Sequence, residues 1–278
     1  MATIGTLNGR VAVVAGATRG IGKGVALELA AAGAHVVVAG RTLEPGEGRT
    51  GSLGETVAAI TGTGGSASPY RCDFLDDENV AALFAAVAAE HGRLDVLVNS
   101  VFDARRFSSS IGRPFWELPV DLWREVVDVG TRTAYSAATF AAPLLIRSGG
   151  GLIANISGRG AERYRYNVAY GVGKAALDKM TRDMAEDLAD LQVAVVSLWP
   201  NVTRTENVDA STAANAAAAA AYGDLDLMET PRYSGRAVVA LASDPKVMAR
   251  SGHRFWVAEL GAEYGFTDEH GREHPLPQ

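Results

Sequence analysis

The sequence has little of what marks secreted, membrane-bound or nucleic-acid-binding proteins. Cys72 is the one cysteine among 278 residues, which excludes a disulfide scaffold and favours the reducing cytoplasm. Basic residues number 26 against 32 acidic ones, a net charge of −6, so we expect no nucleic-acid partner. No apolar run approaches the roughly 18 residues of a spanning helix, and the first ten residues lack a secretory signal. We therefore expect a cytoplasmic protein without a membrane partner.

Apolar residues and glycine are abundant instead. Hydrophobic residues make up 47% of the chain, which excludes global disorder. The 31 glycines exceed the usual share of about 7%, so their positions become informative. The length fits one large α/β domain, which routinely reaches about 250 residues.

Short β-branched runs alternate with longer helical patterns along the whole chain. The strand-like runs are Arg10–Ala15, His35–Ala39, Ser66–Arg71, Leu94–Asn99, Leu152–Ser157, Val193–Leu198 and Arg254–Ala258. The helical stretches are Gly22–Ala32, Asp76–His91, Val120–Ile146, Tyr170–Ala189 and Pro231–Ala242. Most strand-like runs are continuously apolar, as in parallel strands covered on both faces. The pattern predicts an α/β fold with one domain over residues 1–278, a Rossmann-like doubly wound parallel sheet with helices on both faces.

Two segments outside this alternation admit more than one interpretation. Residues 201–229 contain the alanine-rich run ANAAAAAA, which predicts either a weakly packed surface helix or a substrate lid. Residues 262–278 predict a polar C-terminal tail. Within it His270 and His274 have the spacing of a metal pair, but no third ligand is nearby, so we expect a solvated tail and no metal site.

A glycine-rich turn follows the first predicted strand and opens a helix. Its spacing, Gly16-x-x-x-Gly20-x-Gly22, lets the backbone approach a pyrophosphate at a helix N-terminus. The second strand ends at Arg41 instead of the carboxylate that commonly binds the ribose of NAD. Arg41 and Arg19 could pair with a 2′-phosphate, which favours NADP(H), with NAD(H) as the other candidate cofactor. Alternatively, both arginines are solvated surface charges.

Tyr170 and Lys174 lie four residues apart in a predicted helix and therefore share one face. A nearby ammonium favours the phenolate and lowers the tyrosine pKa toward a range useful for proton transfer. Such a pair is common by chance, but this one follows the fifth strand of a predicted dinucleotide-binding fold.

These motifs, in this order over about residues 7–260, resemble the short-chain dehydrogenase/reductase family, and several runs are closer still to one of its subgroups. The resemblance implies an oxidoreductase that transfers a hydride between NADP(H) and a carbonyl or secondary alcohol substrate. It also implies a homo-oligomer, a dimer or tetramer. Helices Val120–Ile146 and that from Tyr170 would form the subunit contacts, with close approach at small residues. Those residues are Ala134, Ala137, Ala138, Ala141 and Ala142.

The resemblance also assigns roles to matching positions. Tyr170 would be the general acid in reduction, Lys174 would hold the nicotinamide ribose, and Asp73 would bind the adenine amine. The cofactor-binding residues are Gly16, Thr18, Arg19, Gly20, Ile21, Gly22, Arg41, Cys72, Asp73, Asn99, Val129, Tyr170, Lys174, Pro200, Thr203 and Thr205.

Two glycines stand where the family has catalytic side chains. Gly130 replaces the active-site asparagine. Gly158 takes the usual place of the catalytic serine when counted from the strand, whereas counting back from Tyr170 gives Ser157. We expect Ser157 to be the catalytic hydroxyl, the alternative being a strand-end serine satisfied by the backbone. The departures leave a second class of function open, a dinucleotide-binding sensor or scaffold with impaired turnover.

Two loops at strand carboxyl ends should flank the substrate cleft. Their charged and aromatic residues are Asp103, Arg105, Arg106, Phe107, Phe115 and Trp116 in one, and Arg159, Arg163, Tyr164, Arg165 and Tyr166 in the other. Together they could hold a bulky carbonyl compound with a polar or anionic end. Alternatively, the arginines face solvent or pair with Asp103 and Glu162.

Overall fold

A parallel sheet of seven strands forms the centre of the protein in the computed structural model, which describes residues 7–46, 50–103 and 106–276. The strands are β1 (Val11–Ala15), β2 (His35–Gly40), β3 (Ser66–Arg71), β4 (Val96–Asn99), β5 (Gly151–Ile156), β6 (Val193–Trp199) and β7 (Arg254–Trp256). Their spatial order is β3-β2-β1-β4-β5-β6-β7. The order reverses between β1 and β4, which places a ligand crevice at the carboxyl ends of these strands. The predicted α/β fold is confirmed.

Helices connect the strands and cover both faces of the sheet. They are α1 (Gly20–Ala31), α2 (Leu53–Thr61), α3 (Asp77–His91), α4 (Phe107–Ser110), α5 (Asp121–Trp123), α6 (Thr133–Arg147), α7 (Val168–Asp187), α8 (Glu206–Ala214), α9 (Ala216–Tyr222), α10 (Pro231–Ser243) and α11 (Val257–Tyr264). None of these helices in the described ranges is both long and apolar enough to cross a bilayer.

Most predicted elements differ from the structure by one or two residues at an end, and two of them also change in kind. The helix expected over residues 120–146 divides into α5, a π-helical segment Arg124–Arg132 and α6. The strand expected over residues 254–258 ends at Trp256, because the Glu259 carboxylate accepts a hydrogen bond from the Trp256 N–H at 2.9 Å. This cap begins α11 at Val257.

The strands bury alternate side chains in two separate cores. Val14 and Val36 belong to the core beneath α1 and α10, whereas Val13 and Val37 belong to the core beneath α3 and α6. Of the α6 alanines expected at a subunit contact, Ala137, Ala138 and Ala141 lie in this second core and Ala142 packs against it. Ala134 is also buried, and the subunit contact itself stays a prediction.

The C-terminal segment packs onto the fold at His274, so the expectation of a solvated tail is wrong for this residue, whereas His270 is exposed as expected. The His274 side chain is only 6% exposed. Its Nε2 lies 3.1 Å from Asp268 Oδ2, and its ring lies 4.7 Å from that of Tyr233 in α10. Arg272 donates a hydrogen bond to the Asp226 carbonyl at 2.8 Å, which ties the tail to residues 201–229. Among the described residues, no cluster of His, Cys, Asp and Glu could hold a metal ion.

Residues 201–229 form α8 and α9, and each helix begins at a side-chain cap. The Thr205 hydroxyl accepts from the Val208 N–H, and the Asn215 side chain accepts from the first N–H groups of α9. Ala218, in the alanine run, is fully buried. Ala216, Ala217 and Ala220 are exposed, so α9 is a surface helix that packs on the protein through one side only.

Candidate active site

A cleft of about 300 Å³ lies at the carboxyl ends of the strands and brings together almost all the predicted site residues. Those that line it are Gly16, Thr18, Arg19, Gly20, Ile21, Gly22, Arg41, Cys72, Asp73, Val129, Ser157, Tyr170, Lys174, Pro200, Thr203 and Thr205. Asn99 lies outside this lining, and its expected role beside the adenosine ribose stays a prediction. Its amide donates to Asn155 Oδ1 at 2.9 Å, so the side chain joins β4 to β5 beneath the cleft.

The glycine-rich turn is shaped by close backbone contacts that only glycine permits. Gly16 has φ +84°, and a Cβ there would lie 2.6 Å from the Ser100 carbonyl oxygen. A Cβ at Gly22 would lie 2.2 Å from the Gly16 carbonyl oxygen. Arg19 precedes α1, and its side chain does not cap the helix. The first N–H groups of α1 therefore remain directed at the cleft. The turn therefore fits the pyrophosphate of a dinucleotide.

One of these N–H groups has a partner that the sequence did not indicate. The Gly20 N–H donates to Glu206 Oε2 at 3.0 Å, across 186 residues of sequence. Glu206 is the first residue of α8, so a carboxylate of residues 201–229 occupies the position that a helix N-terminus offers to an anion. No local motif indicates this contact.

The second strand leads to the cationic side of the cleft. Arg41 follows β2, and its Nη2 lies 3.9 Å from Oδ2 of the buried Asp103. The Asp73 carboxylate accepts from the Leu75 N–H at 3.1 Å. Cys72 is fully buried, and burial raises the pKa of its thiol to about 12. It is therefore a neutral packing residue at the cleft wall.

Tyr170 and Lys174 lie in the first turns of α7, as predicted. The Asn167 side chain begins this helix by accepting from the Tyr170 N–H at 2.9 Å. Lys174 Nζ donates to the Ile156 carbonyl at 2.9 Å and lies 5.7 Å from the centre of the Tyr170 ring. Burial lowers the pKa of Lys174 to about 8, against a weaker opposing effect of the Asp178 charge.

The expected lowering of the Tyr170 pKa is wrong for this structure. Burial raises the pKa of Tyr170, and the nearby Tyr166 acts in the same direction. The phenol is surrounded by aromatic rings, which disfavour its charged form. The charge of Arg165 lowers the pKa of Tyr170, but by less than burial raises it.

The structure separates the two positions considered for the catalytic serine. Ser157 is buried, and its hydroxyl donates to the Lys174 carbonyl at 3.1 Å, as in the alternative of a serine satisfied by backbone. A Cβ at Gly158 would lie 3.1 Å from Tyr170 Oη. Position 158 is therefore the one whose side chain would face the phenol.

The second unexpected glycine, Gly130, lies in the π-helical segment. A Cβ there would meet nothing within 4 Å. Gly130, Thr131 and Lys174 line a small side cavity, with room for about one water molecule. The missing asparagine side chain thus leaves open space on the Lys174 side of the site.

Glu229 is a second residue that the sequence did not single out. Its Oε2 accepts from the Asn201 N–H at 3.1 Å, and its backbone pairs with Val202 and Arg204. Burial raises the pKa of this carboxyl to about 8, opposed by the hydrogen bond from Asn201. Glu229 thus fixes the loop after β6, which carries Pro200 and Thr203 into the cleft.

The loop arginines differ in their surroundings, and Arg163 is exposed, as in the solvent alternative. Glu162 pairs with Arg254 at 2.9 Å, and Arg106 donates to Glu125 Oε1 at 2.6 Å. Arg165 lies 4.8 Å from the centre of the Tyr166 ring. Arg105 lies outside the described residues. Of the predicted aromatics, Phe107 and Tyr166 line the cleft, whereas Phe115, Trp116 and Tyr164 are exposed.

A glycine turn on α1, with tyrosine and lysine on α7 facing the same cleft, defines a dinucleotide-dependent oxidoreductase site. Comparison with protein-family models agrees, because the short chain dehydrogenase model matches residues 10–216. The chain therefore belongs to the short-chain dehydrogenase/reductase family.

Individual relatives support the same assignment. The chain is 37% identical to dehydrogenase/reductase SDR family member 1 of Mus musculus over 276 residues, 97% of this chain and 86% of the relative. The human protein of that name is also 37% identical, over 96% of this chain and 85% of its own length. The resemblance to this subgroup is confirmed.

Solved structures show the same fold. A short-chain dehydrogenase/reductase from Burkholderia xenovorans superposes with a TM-score of 0.78 and 27% identity, covering 95% of this chain and all of its own. A Beutenbergia cavernae protein, described as an NAD(P)-dependent gluconate 5-dehydrogenase with bound NADP, superposes with a TM-score of 0.73 and 31% identity. It covers 90% of this chain and 96% of its own.

Proposed function

We propose that this protein is an NADP(H)-dependent carbonyl reductase or secondary alcohol dehydrogenase. The observation that carries the proposal is the placement of Tyr170 and Lys174 in the same cleft as the glycine-rich turn. A proton donor thus lies in one cleft with the backbone groups that suit a dinucleotide.

The reduced cofactor supplies a hydride to the carbonyl carbon, and the chain supplies the proton and the orientation. Tyr170 donates the proton from Oη to the substrate oxygen. Lys174 would hold the nicotinamide ribose and, as a cation close to the Tyr170 phenol, would favour the deprotonated form of that phenol. Ser157 is the hydroxyl proposed to polarise the carbonyl, for which its Oγ must turn away from the Lys174 carbonyl.

The proposed preference for NADP(H) rests on the end of β2. Arg41 lines the cleft there, and a guanidinium binds a phosphate through paired hydrogen bonds. A carboxylate in this place would favour NAD(H) instead.

Substitution of Tyr170 by Phe tests the proposal. The variant should lose nearly all turnover while still binding NADPH, because only the proton donor is removed. The assay is the loss of NADPH absorbance with a panel of ketones, quinones and aldehydes, beside a titration of NADPH and NADH. Tyr135→Phe, at an exposed tyrosine of α6, is the control. Retained turnover in Tyr170→Phe would defeat the assignment, and equal affinity for the two cofactors would defeat the preference.

A dinucleotide-binding sensor or scaffold is the second candidate. It is favoured by Gly158, which puts no side chain beside the Tyr170 hydroxyl, and by the open space at Gly130. Cofactor binding without turnover of any compound in the panel would select it. For either function we propose a cytoplasmic homo-oligomer, with residues 201–229 as the lid over the cleft.

A further inference from the structure

Aromatic rings surround the proposed proton donor on the substrate side of the cleft. The Tyr166 ring centre lies 5.1 Å from that of Tyr170, Phe107 lies at 5.4 Å and Phe102 at 6.4 Å. Tyr222, at the end of α9, lies 5.5 Å from Tyr166. All five residues line the cleft. Only 7% of the residues in the chain are aromatic, so this concentration is unusual.

Tyr166 is held in a backbone conformation that disfavours a bulky residue. Its φ is +63°, and the Asn167 N–H donates to the Arg165 carbonyl at 2.8 Å, closing a three-residue turn around it. Turns of this kind with positive φ are rare and strained. Strained backbone persists where surrounding contacts over-determine it, and it is common at ligand sites. The turn places the Tyr166 ring against Phe107, Tyr170 and Tyr222.

The rings come from segments that pack on one another independently of the sheet. Phe107 belongs to a third, small core with Ile111, Leu122, Val126 and Ala218. Arg165 donates to the Ala221 carbonyl at 3.4 Å. The wall opposite the cofactor turn is therefore assembled from the loop after β4, the loop after β5 and α9.

We propose that Phe102, Phe107, Tyr166 and Tyr222 form an aromatic subsite, and that the substrates are planar aromatic or conjugated carbonyl compounds. The inference deepens the proposed function and depends on it. Ring edges and faces attract a π-system beyond what its apolar area contributes, which discriminates a flat ring from a saturated one of equal size. With NADPH bound, the ketone would take a hydride at carbon from the cofactor and a proton at oxygen from Tyr170. This would leave a secondary alcohol, NADP⁺ and a Tyr170 phenolate, which takes up a proton from water.

A matched pair of ketones tests the subsite. Acetophenone and cyclohexyl methyl ketone differ in aromaticity and little in size. The quantity to compare is the ratio of their kcat/KM values, aromatic over saturated, in each protein. Since both variants meet the same two ketones, intrinsic reactivity cancels between proteins. Tyr166→Leu and Tyr222→Leu should each lower this ratio about two- to tenfold.

Phe115→Leu is the control, because Phe115 is 63% exposed and packs edge-on against Trp116. Its ratio should equal that of the wild type. Thermal unfolding verifies that each variant folds. If Tyr166→Leu does not fold because the strained turn does not tolerate leucine, the ratio measured for Tyr222→Leu decides the test. An unchanged ratio in both variants would overturn the aromatic subsite while leaving carbonyl reduction intact.

Failure of the proposed function would look different. In that case neither ketone is turned over. Calorimetric titration then measures the affinity of the protein for each ketone in the presence of NADP⁺, and the two affinities show whether the aromatic subsite exists. Tighter binding of acetophenone in the wild type, lost in Tyr222→Leu, would support an aromatic ligand for a binding protein. Equal or absent binding of both ketones would overturn the inference.

Discussion

Replacing Lys174 by Met should make the protein more stable at neutral pH while removing its activity. Burial lowers the pKa of Lys174 to about 8 from an ordinary value of 10.5. The difference corresponds to about 3 kcal/mol by which the fold disfavours the charged form. The hydrogen bond to the Ile156 carbonyl offsets about 1 kcal/mol of this. The variant should therefore gain about 2 kcal/mol in the free energy of unfolding near pH 7.

The stability difference between Lys174→Met and the wild type depends on pH, because the folded and unfolded states bind different numbers of protons. Below about pH 8 Lys174 is protonated in both states, so the wild type is destabilised by the full amount. Between about pH 8 and 10.5 the unfolded state binds more protons than the folded state, so wild-type stability rises with pH. Above that range the lysine is neutral in both states. The advantage of Lys174→Met should therefore fade as the pH increases.

Urea unfolding at about pH 7 and about pH 10 measures the effect. Lys179→Met is the matched control, because Lys179 lies on the same helix with an exposed side chain paired to Asp183. It should change stability by about 0.5 kcal/mol or less at either pH. A Lys174→Met variant that is less stable than the wild type near neutrality, or whose advantage does not shrink at high pH, would refute the reasoning.

Two further substitutions address the contacts that the structure revealed. Glu206→Gln should tighten NADPH binding about two- to fivefold, because it keeps an acceptor for the Gly20 N–H and removes a negative charge beside the pyrophosphate turn. Fluorescence titration gives the Kd, with the exposed Glu90→Gln as control, and unchanged or weaker binding in Glu206→Gln contradicts the prediction. Gly158→Ser should raise kcat by about tenfold, because the backbone there is extended and the new hydroxyl would lie beside Tyr170 Oη. Gly158→Ala adds the carbon without the hydroxyl, so an equal effect of both variants in steady-state kinetics would count against that role.

The cofactor side of the site was predictable because it depends on local chemistry. Gly22 is required by a contact within the turn, with the Gly16 carbonyl, whereas Gly16 has a positive φ and closely approaches Ser100 after β4. Arg41 follows the second strand by one residue. Each of these features lies in a short segment of the sequence, and the βαβ arrangement determines which segments lie next to it. The sheet was predictable because most of its strands are continuously apolar, although β3 is not.

Other features depend on long-range contacts and left no signal in the sequence. Glu206 reaches the turn only because α8 lies over it. Glu229 contacts the loop after β6 through a bridge to Thr203, from which α8 and α9 separate it in the sequence. His274 was misjudged because its partner Asp268 lies in the same polar segment. The polar composition of this segment predicted exposure to solvent. In the structure Asp268 pairs with Arg272 and His274, and the His274 ring packs against Tyr233 of α10.

The two halves of the cleft therefore differ in what determines them. Backbone groups form the half suited to the cofactor, and glycine is needed wherever a Cβ would collide. Side chains from three separated segments form the substrate half, and its central residue, Tyr166, violates the backbone preference of its own type. A non-glycine residue with positive φ, in a fold most of whose other residues follow their backbone preferences, is held in that conformation by the contacts around it. Since the contacts of Tyr166 are the rings around the proposed proton donor, substrate selection is the function that would account for the strain.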